Sequence, residues 1–123
     1  MNVRVLVVDD HELVRTAVSA ALDVFGGIDV VGSCVDGLEA LAAVDHSRPD
    51  VVLMDLSMPR LGGVDATRRL MQDHPDLRVV ILTSASGGRQ TTGALAAGAV
   101  SVVYKDADIG KVAAAVRAAV PAI

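Results

Sequence analysis

Aromatic residues are nearly missing from this chain: tryptophan is absent, and Phe25 and Tyr104 stand alone. The core must therefore be built from small and β-branched side chains, and alanine and valine together supply 41 of the 123 residues. A single cysteine, Cys34, excludes an internal disulfide framework and fits a reducing, cytoplasmic setting. No apolar run approaches a membrane span, and no charged-then-apolar leader opens the chain. Positive charge is also scarce. Eleven Lys and Arg face fifteen Asp and Glu, for a formal charge of -4, which argues against direct nucleic acid binding by this domain.

The same thinness appears inside each charge class. The only lysines are Lys105 and Lys111, and the only glutamates are Glu12 and Glu39. Almost all the acid is aspartate, a short carboxylate that gathers in loops and at helix caps. With 123 residues and 12.6 kDa the chain is expected to form one domain over residues 1–123. A chain of this size folds without disulfides or structural metal.

What is present is an alternation. Short valine-rich runs at 3–8, 28–33, 51–54, 79–83 and 100–104 are apolar on consecutive positions, as strands buried on both faces are. Helical spacing fills the gaps. Leu13, Val14, Ala17, Val18, Ala21, Leu22 and Phe25 mark a first helix, stopped by Gly26-Gly27. Leu38, Leu41, Ala42 and Asp45 follow an Asp36-Gly37 start, and Val64, Thr67, Leu70 and Met71 make a third pattern. The segment 87–97, rich in Gly and Thr, is the weakest helix. Ile109, Val112, Ala113, Val116, Ala119 and Val120 give the last, capped by Asp108. Five strands alternating with five helices predict an α/β fold, a doubly wound parallel sheet. Ligands of such sheets sit beyond the carboxyl ends of the strands.

Those ends carry chemistry. The first run ends in Asp9-Asp10, the third in Asp55, the fourth in Thr83-Ser84 and the fifth in Tyr104-Lys105. Crowded carboxylates repel one another, and a divalent, oxygen-loving cation such as Mg²⁺ relieves the repulsion. With a lysine and a hydroxyl opposite, the set suits phosphoryl transfer onto a carboxylate. Each piece alone has a bland reading: Asp-Asp as a helix cap, Thr83-Ser84 as loop hydroxyls, Lys105 as a solvated lysine. Their joint occurrence at equivalent strand ends carries the case. His11, His46 and His74 are too scattered in sequence to suggest a metal site, and Cys34, just past the second strand, reads as a small core residue.

The Asp9-Asp10-His11 junction, Asp55-x-x-Met58-Pro59-x-x-Gly62-Gly63, Leu82-Thr83-Ser84, Ala97-Gly98-Ala99 and Lys105 together resemble the receiver domain of two-component response regulators. The resemblance covers nearly the whole chain. It implies a CheY-like sheet of order 2-1-3-4-5, with Asp55 as phosphoacceptor. Asp10 would bind Mg²⁺ directly and Asp9 mainly through water, with Asp55 also in the metal set and the Ser57 carbonyl completing the protein's ligands. Thr83 would be the switch hydroxyl and Lys105 the phosphoryl-binding lysine. The implied donor is a sensor histidine kinase or a small acyl phosphate. The implied partner is a DNA-binding output domain, absent from this chain, or a second receiver copy forming a homodimer. The domain would be a signalling switch rather than an enzyme.

Two positions depart from the family pattern. Val102 stands where most members carry an aromatic residue, and Asp106 follows the lysine where proline is frequent. The second departure, with Gly98-Ala99 and the Asp10-His11-Glu12 opening, resembles the subclass joined to a LuxR-type helix-turn-helix. Val102 also lends some weight to an alternative, a phosphorylation-independent pseudo-receiver serving as an interaction module. An aspartyl phosphohydrolase would need a second acid where Ser57 stands. A nucleotide-binding module would need glycines or hydroxyls where Asp9, Asp10 and His11 stand.

Overall fold

The computed structural model describes residues 2–84 and 88–120. The elements are β1 (Val3–Val8), α1 (Glu12–Val24), β2 (Ile28–Cys34), α2 (Gly37–Ser47), β3 (Val51–Met54), α3 (Gly63–Asp73), β4 (Arg78–Thr83), α4 (Arg89–Ala97), β5 (Ser101–Tyr104) and α5 (Ile109–Ala119). All strand pairs are parallel, and the sheet order is β2-β1-β3-β4-β5, as the alternation and the resemblance predict. Gly87 lies outside the described residues, and the weak fourth helix begins at Arg89.

Alternating side chains split the sheet into two cores. Val5, Val7, Val51, Leu53, Val80 and Leu82 meet Val18 and Leu22 of α1 and Val112, Ala113 and Val116 of α5. Leu6, Val8, Val52, Met54, Val79 and Ile81 meet Ala40 and Val44 of α2, Ala66 and Leu70 of α3, and Ala94 of α4. Burial on both faces explains why these strands read as unbroken apolar runs. No helix among the described residues is long and apolar enough to cross a membrane.

Several expectations need correction. Cys34 is the last residue of β2, not a residue beyond it, and pairs with Val8. Between Val5 and Leu6 the register slips, so Val30 faces Val5 but Gly32 faces Leu6. One extra residue turns every later side chain to the other face. Ile28 therefore packs against the α1/α5 core, whereas Cys34, of the same parity, enters the α2/α3/α4 core. On α1, Leu13 is 85% exposed and Ala17 also faces outward. On α2 the buried face is Gly37, Ala40 and Val44, while Leu38 and Ala42 point out. Alanine-rich helices offer apolar atoms all round, so spacing alone does not choose the inward face. Val100 precedes β5 and is exposed, because the strand starts at Ser101.

Candidate functional site

The sheet carries its acids to one edge by continuing the strand ladders a residue past the strands. The Asp9 N–H donates to Cys34 O at 3.0 Å, and the Asp55 N–H donates to Val8 O at 2.9 Å. The Lys105 N–H donates to Thr83 O at 2.8 Å. Asp9, Asp55 and Thr83 are buried, Lys105 is half-buried, and Asp10, Ser57 and Ser84 are exposed. All the strand-end residues singled out in the sequence thus lie along the carboxyl edge.

Lys105 Nζ lies 2.6 Å from Asp9 Oδ2 and 3.5 Å from Asp55 Oδ1. The ammonium sits between two buried carboxylates and leans toward Asp9. Asp55 Oδ1 also accepts the Leu56 N–H at 2.9 Å. Burial, and then the nearby Asp9 charge, push the Asp55 carboxyl above its ordinary range, with Lys105 and the Leu56 N–H opposing. A buried carboxylate beside a second acid is the environment in which added positive charge is most strongly favoured.

Close packing fixes Asp55 from behind. The Gly63 N–H donates to Leu56 O at 2.9 Å. A Cβ on Gly63 would stand 2.2 Å from Asp55 O, so only glycine lets α3 start against this backbone. The Gly62-Gly63 pair of the sequence motif is explained by this approach. Beyond Asp55, Ser57 Oγ donates to Gln90 Oε1 at 3.4 Å, a contact between the loop after β3 and the first turn of α4.

One ligand atom from each of Asp9, Asp10, His11 and Asp55 can be chosen so that all four lie within 4.8 Å of one another. Asp9 Oδ2 is buried and accepts no hydrogen bond, its contact with Lys105 being an ion pair without hydrogen-bond geometry. Three carboxylates crowded at one edge with a single ammonium among them are a donor set that fits a divalent cation. His11 is a correction: scattered in sequence from His46 and His74, it nevertheless belongs to this cluster. Its Nδ1 is 3.1 Å from Asp9 Oδ1 and 3.2 Å from Asp10 Oδ1. Arg15 was also missed; its Nη1 donates to Asp9 O at 2.7 Å and steadies the loop. Adjacency to Asp9-Asp10 was the only signal for His11, and its place one turn before Arg15 the only one for Arg15.

The sequence matches the response regulator receiver domain family over residues 5–117. The chain belongs to that family. Response regulator GacA of Pseudomonas viridiflava is 44% identical over 115 residues, covering 94% of this chain and 54% of that protein. Response regulator protein VraR of Staphylococcus aureus is 40% identical over 117 residues, covering 95% of this chain and 56% of that one. This receiver therefore spans about half the length of the curated relatives it matches. The response regulator domain of Thermotoga maritima CheB superposes with a TM-score of 0.90 at 32% identity, covering 97% of this chain and 96% of that one. A LuxR-family two-component response regulator from Aurantimonas sp. gives a TM-score of 0.90 at 33% identity, covering 96% of the receiver and 84% of that chain. The receiver is thus a part of a two-component signalling switch.

Outside the edge, Cys34 is buried and its thiol is pushed up to about 11, by burial first and then by Glu39 and Asp36. It is a core residue, as its sequence context suggested. Val102 packs with the α2/α3/α4 core and Val103 with the α1/α5 core, the alternation expected of β5.

Proposed function

We propose that this receiver accepts a phosphoryl group on Asp55 in a Mg²⁺-dependent reaction and changes conformation in response. The observation that carries this reading is the buried Asp9–Lys105–Asp55 arrangement, in which a nucleophilic carboxylate sits beside an acid and an ammonium group. The Asp55 carboxylate attacks phosphorus, a P–O bond forms, and the bond to the donor's leaving group breaks. Asp9, Asp10, Asp55 and the Ser57 carbonyl are the groups that would hold the cation. Magnesium bound there would supply positive charge to offset that on the phosphoryl oxygens. Lys105 gives up its contact with Asp9 to pair with a phosphoryl oxygen, and Thr83 donates its hydroxyl to another.

The phosphoryl donor is a sensor histidine kinase or a small acyl phosphate. The switch propagates through Thr83 at the end of β4 to α4, whose Gly93, Thr91 and Thr92 give it little intrinsic stability. A modest free-energy contribution at the edge shifts such an element. Leu95 and Val100 are 46% and 43% exposed near that element, an apolar surface suited to a second receiver copy or an output domain. The greater length of the curated relatives and the likeness to LuxR-family regulators support a transcriptional output through a DNA-binding domain. A cytoplasmic location follows from a kinase-driven switch of this kind.

Incubation with Mg²⁺ and acetyl phosphate, followed by intact mass measurement, tests the reading. One phosphoryl adduct is expected in the wild type, and none in Asp55→Asn or with a chelator. An adduct that survives Asp55→Asn removes Asp55 as the nucleophile. In Lys105→Ala the adduct still forms while the downstream response weakens; an unchanged response removes Lys105 from the switch.

A further inference from the structure

Among the described residues, two that are not glycine adopt a left-handed backbone, Arg48 at φ 49° and Arg60 at φ 65°. Arg48 is the C-cap of α2, where that conformation commonly ends a helix. Arg60 stands in the loop between β3 and α3, where glycine would make the same turn without crowding a Cβ. Its side chain accounts for an arginine in that place. Arg60 Nε donates to Asp36 Oδ2 at 2.6 Å, and Nη2 pairs with the same oxygen. Asp36 is wholly buried at the start of α2. That helix end is tied without the guanidinium, since Asp36 Oδ1 accepts the Glu39 N–H at 2.9 Å and Glu39 Oε1 accepts the Val35 N–H at 3.1 Å. What Arg60 fixes in addition is its own loop. Leu56 and Leu61 are buried anchors at either end, while Ser57, Pro59 and Arg60 between them are exposed. The Gly37 N–H donates to Leu61 O at 3.0 Å, so backbone and side chain bind this loop to α2 at adjacent residues. The Ser57 Oγ contact to Gln90 is longer, at 3.4 Å.

We infer that Arg60 is a positioning residue for the receiver's metal site: by gripping the buried Asp36 it holds the loop that presents the Ser57 carbonyl, and so couples the start of α2 to cation affinity. The inference rests on the metal reading proposed above and adds to it a residue outside the acidic edge. Arginine suits the task because its planar fork fixes direction as well as charge. Charge by itself predicts the opposite effect. Arg60 is a cation, and its removal leaves the molecule more negative, which favours a divalent ion. Removal of the Asp36 charge acts the other way. If both losses weaken Mg²⁺ binding alike, the cause is the loop they hold together and not the field.

Calorimetric titrations with MgCl₂ compare wild type, Arg60→Gly, Asp36→Asn and the double variant, with Asp55→Asn as the site control. Arg60→Gly relieves the left-handed backbone, and Asp36→Asn keeps a favoured helix cap. Each single variant should bind Mg²⁺ about fivefold more weakly, the low end for coupling between separate sites, and the double variant no more weakly than either. Acetyl phosphate labelling should slow by the same factor at limiting Mg²⁺ and return to within about twofold of wild type at saturating Mg²⁺. In metal-free Asp36→Asn, where Arg60 is still in place, amide exchange at Ser57, Met58 and Arg60 should quicken while β3 is unchanged. Mg²⁺ binding by Arg60→Gly that equals or exceeds wild type overturns the assignment, and so does unchanged loop exchange in Asp36→Asn. Should Arg60→Gly fail to fold, the exchange measurement on Asp36→Asn decides alone. If the wild type takes up no Mg²⁺, or Asp55→Asn binds it equally well, the underlying metal reading fails, and the Arg60 assignment with it.

Discussion

The start of α2 and the edge around Asp55 each bury a carboxylate, and the surroundings push the two in opposite directions. Asp36 is wholly buried and fully partnered. Its Oδ1 accepts the Glu39 N–H at 2.9 Å, and its Oδ2 accepts Arg60 Nε at 2.6 Å and pairs with Nη2. The Glu39 N–H, and then Arg60 against the cost of burial, hold its carboxyl below the ordinary range. Asp55 is buried beside a second acid and is pushed up. Asp36 stabilises the fold as a carboxylate, while Asp55 in that form is a burden on it. A structural acid comes with its own donors; an acid kept for chemistry is left short of positive charge.

Each acid also has a glycine that lets a neighbouring chain approach. A Cβ on Gly37 would stand 2.5 Å from Leu61 O, and one on Gly63 would stand 2.2 Å from Asp55 O. Both obstacles are backbone atoms that cannot rotate away. Gly63→Ala and Gly37→Ala should therefore each cost about 3 kcal/mol or more in urea unfolding. Acetyl phosphate labelling sharpens the contrast. Folded Gly37→Ala should still label, whereas folded Gly63→Ala should label poorly, because its strain falls on Asp55. Equal labelling of both would separate Gly63 from the site.

Asp36→Ala comes next, with an expected loss of about 2 kcal/mol, from a helix cap removed and the Glu39 N–H and Arg60 left without their acceptor. Its pH dependence has a fixed sign. A lowered carboxyl pKa contributes stability above the ordinary carboxylate range, and that contribution is lost as pH falls through the lowered value. The acid side of the wild-type stability curve should flatten in Asp36→Ala, as thermal melts across pH will check.

Asp55→Asn should move stability the other way, by about 1 kcal/mol, because the nearby Lys105 ammonium already offsets part of the cost of burying the carboxylate. A raised carboxyl pKa gives stability that is present below the ordinary range and lost as pH rises through the raised value. The gain from Asp55→Asn should thus shrink as the pH is lowered toward about 4. A melting midpoint that falls in this variant at neutral pH, without added divalent ions, would break the comparison.

The smallest perturbation is a chemical probe of Cys34. A thiol pushed up to about 11 and buried at the end of β2 should resist alkylation at pH 8 in the native protein. Labelling should follow global unfolding, with a rate more than about a thousandfold below that of the denatured chain.

Much of the edge was legible before any coordinates. Asp9, Asp10, Asp55, Thr83 and Lys105 all close a β-branched run, and a parallel sheet must bring the ends of such runs together. His11 was legible only as a neighbour of acids, since which way a ring turns depends on the loop it stands on. Arg60 was illegible as a partner for Asp36: the pair spans two separate crossovers, and Arg60 adopts a left-handed backbone with φ 65° to reach it. The bulge in β2 left no mark that periodicity could read, because Val30, Val31 and Gly32 have no polar residue to betray a change of face.

The amino-acid order by itself determined the alternation of strand and helix, the two-sided burial of the sheet, and the acids at its carboxyl edge. Those follow from local spacing, β-branching and short polar boundaries, each set within a few residues. Only the tertiary structure decided which face of the alanine-rich α2 turns inward, which core receives Cys34, and that Lys105 leans on Asp9 more closely than on Asp55. Such choices depend on packing and charge between segments far apart in the chain, where near-equal local options are separated only by what the fold sets against them.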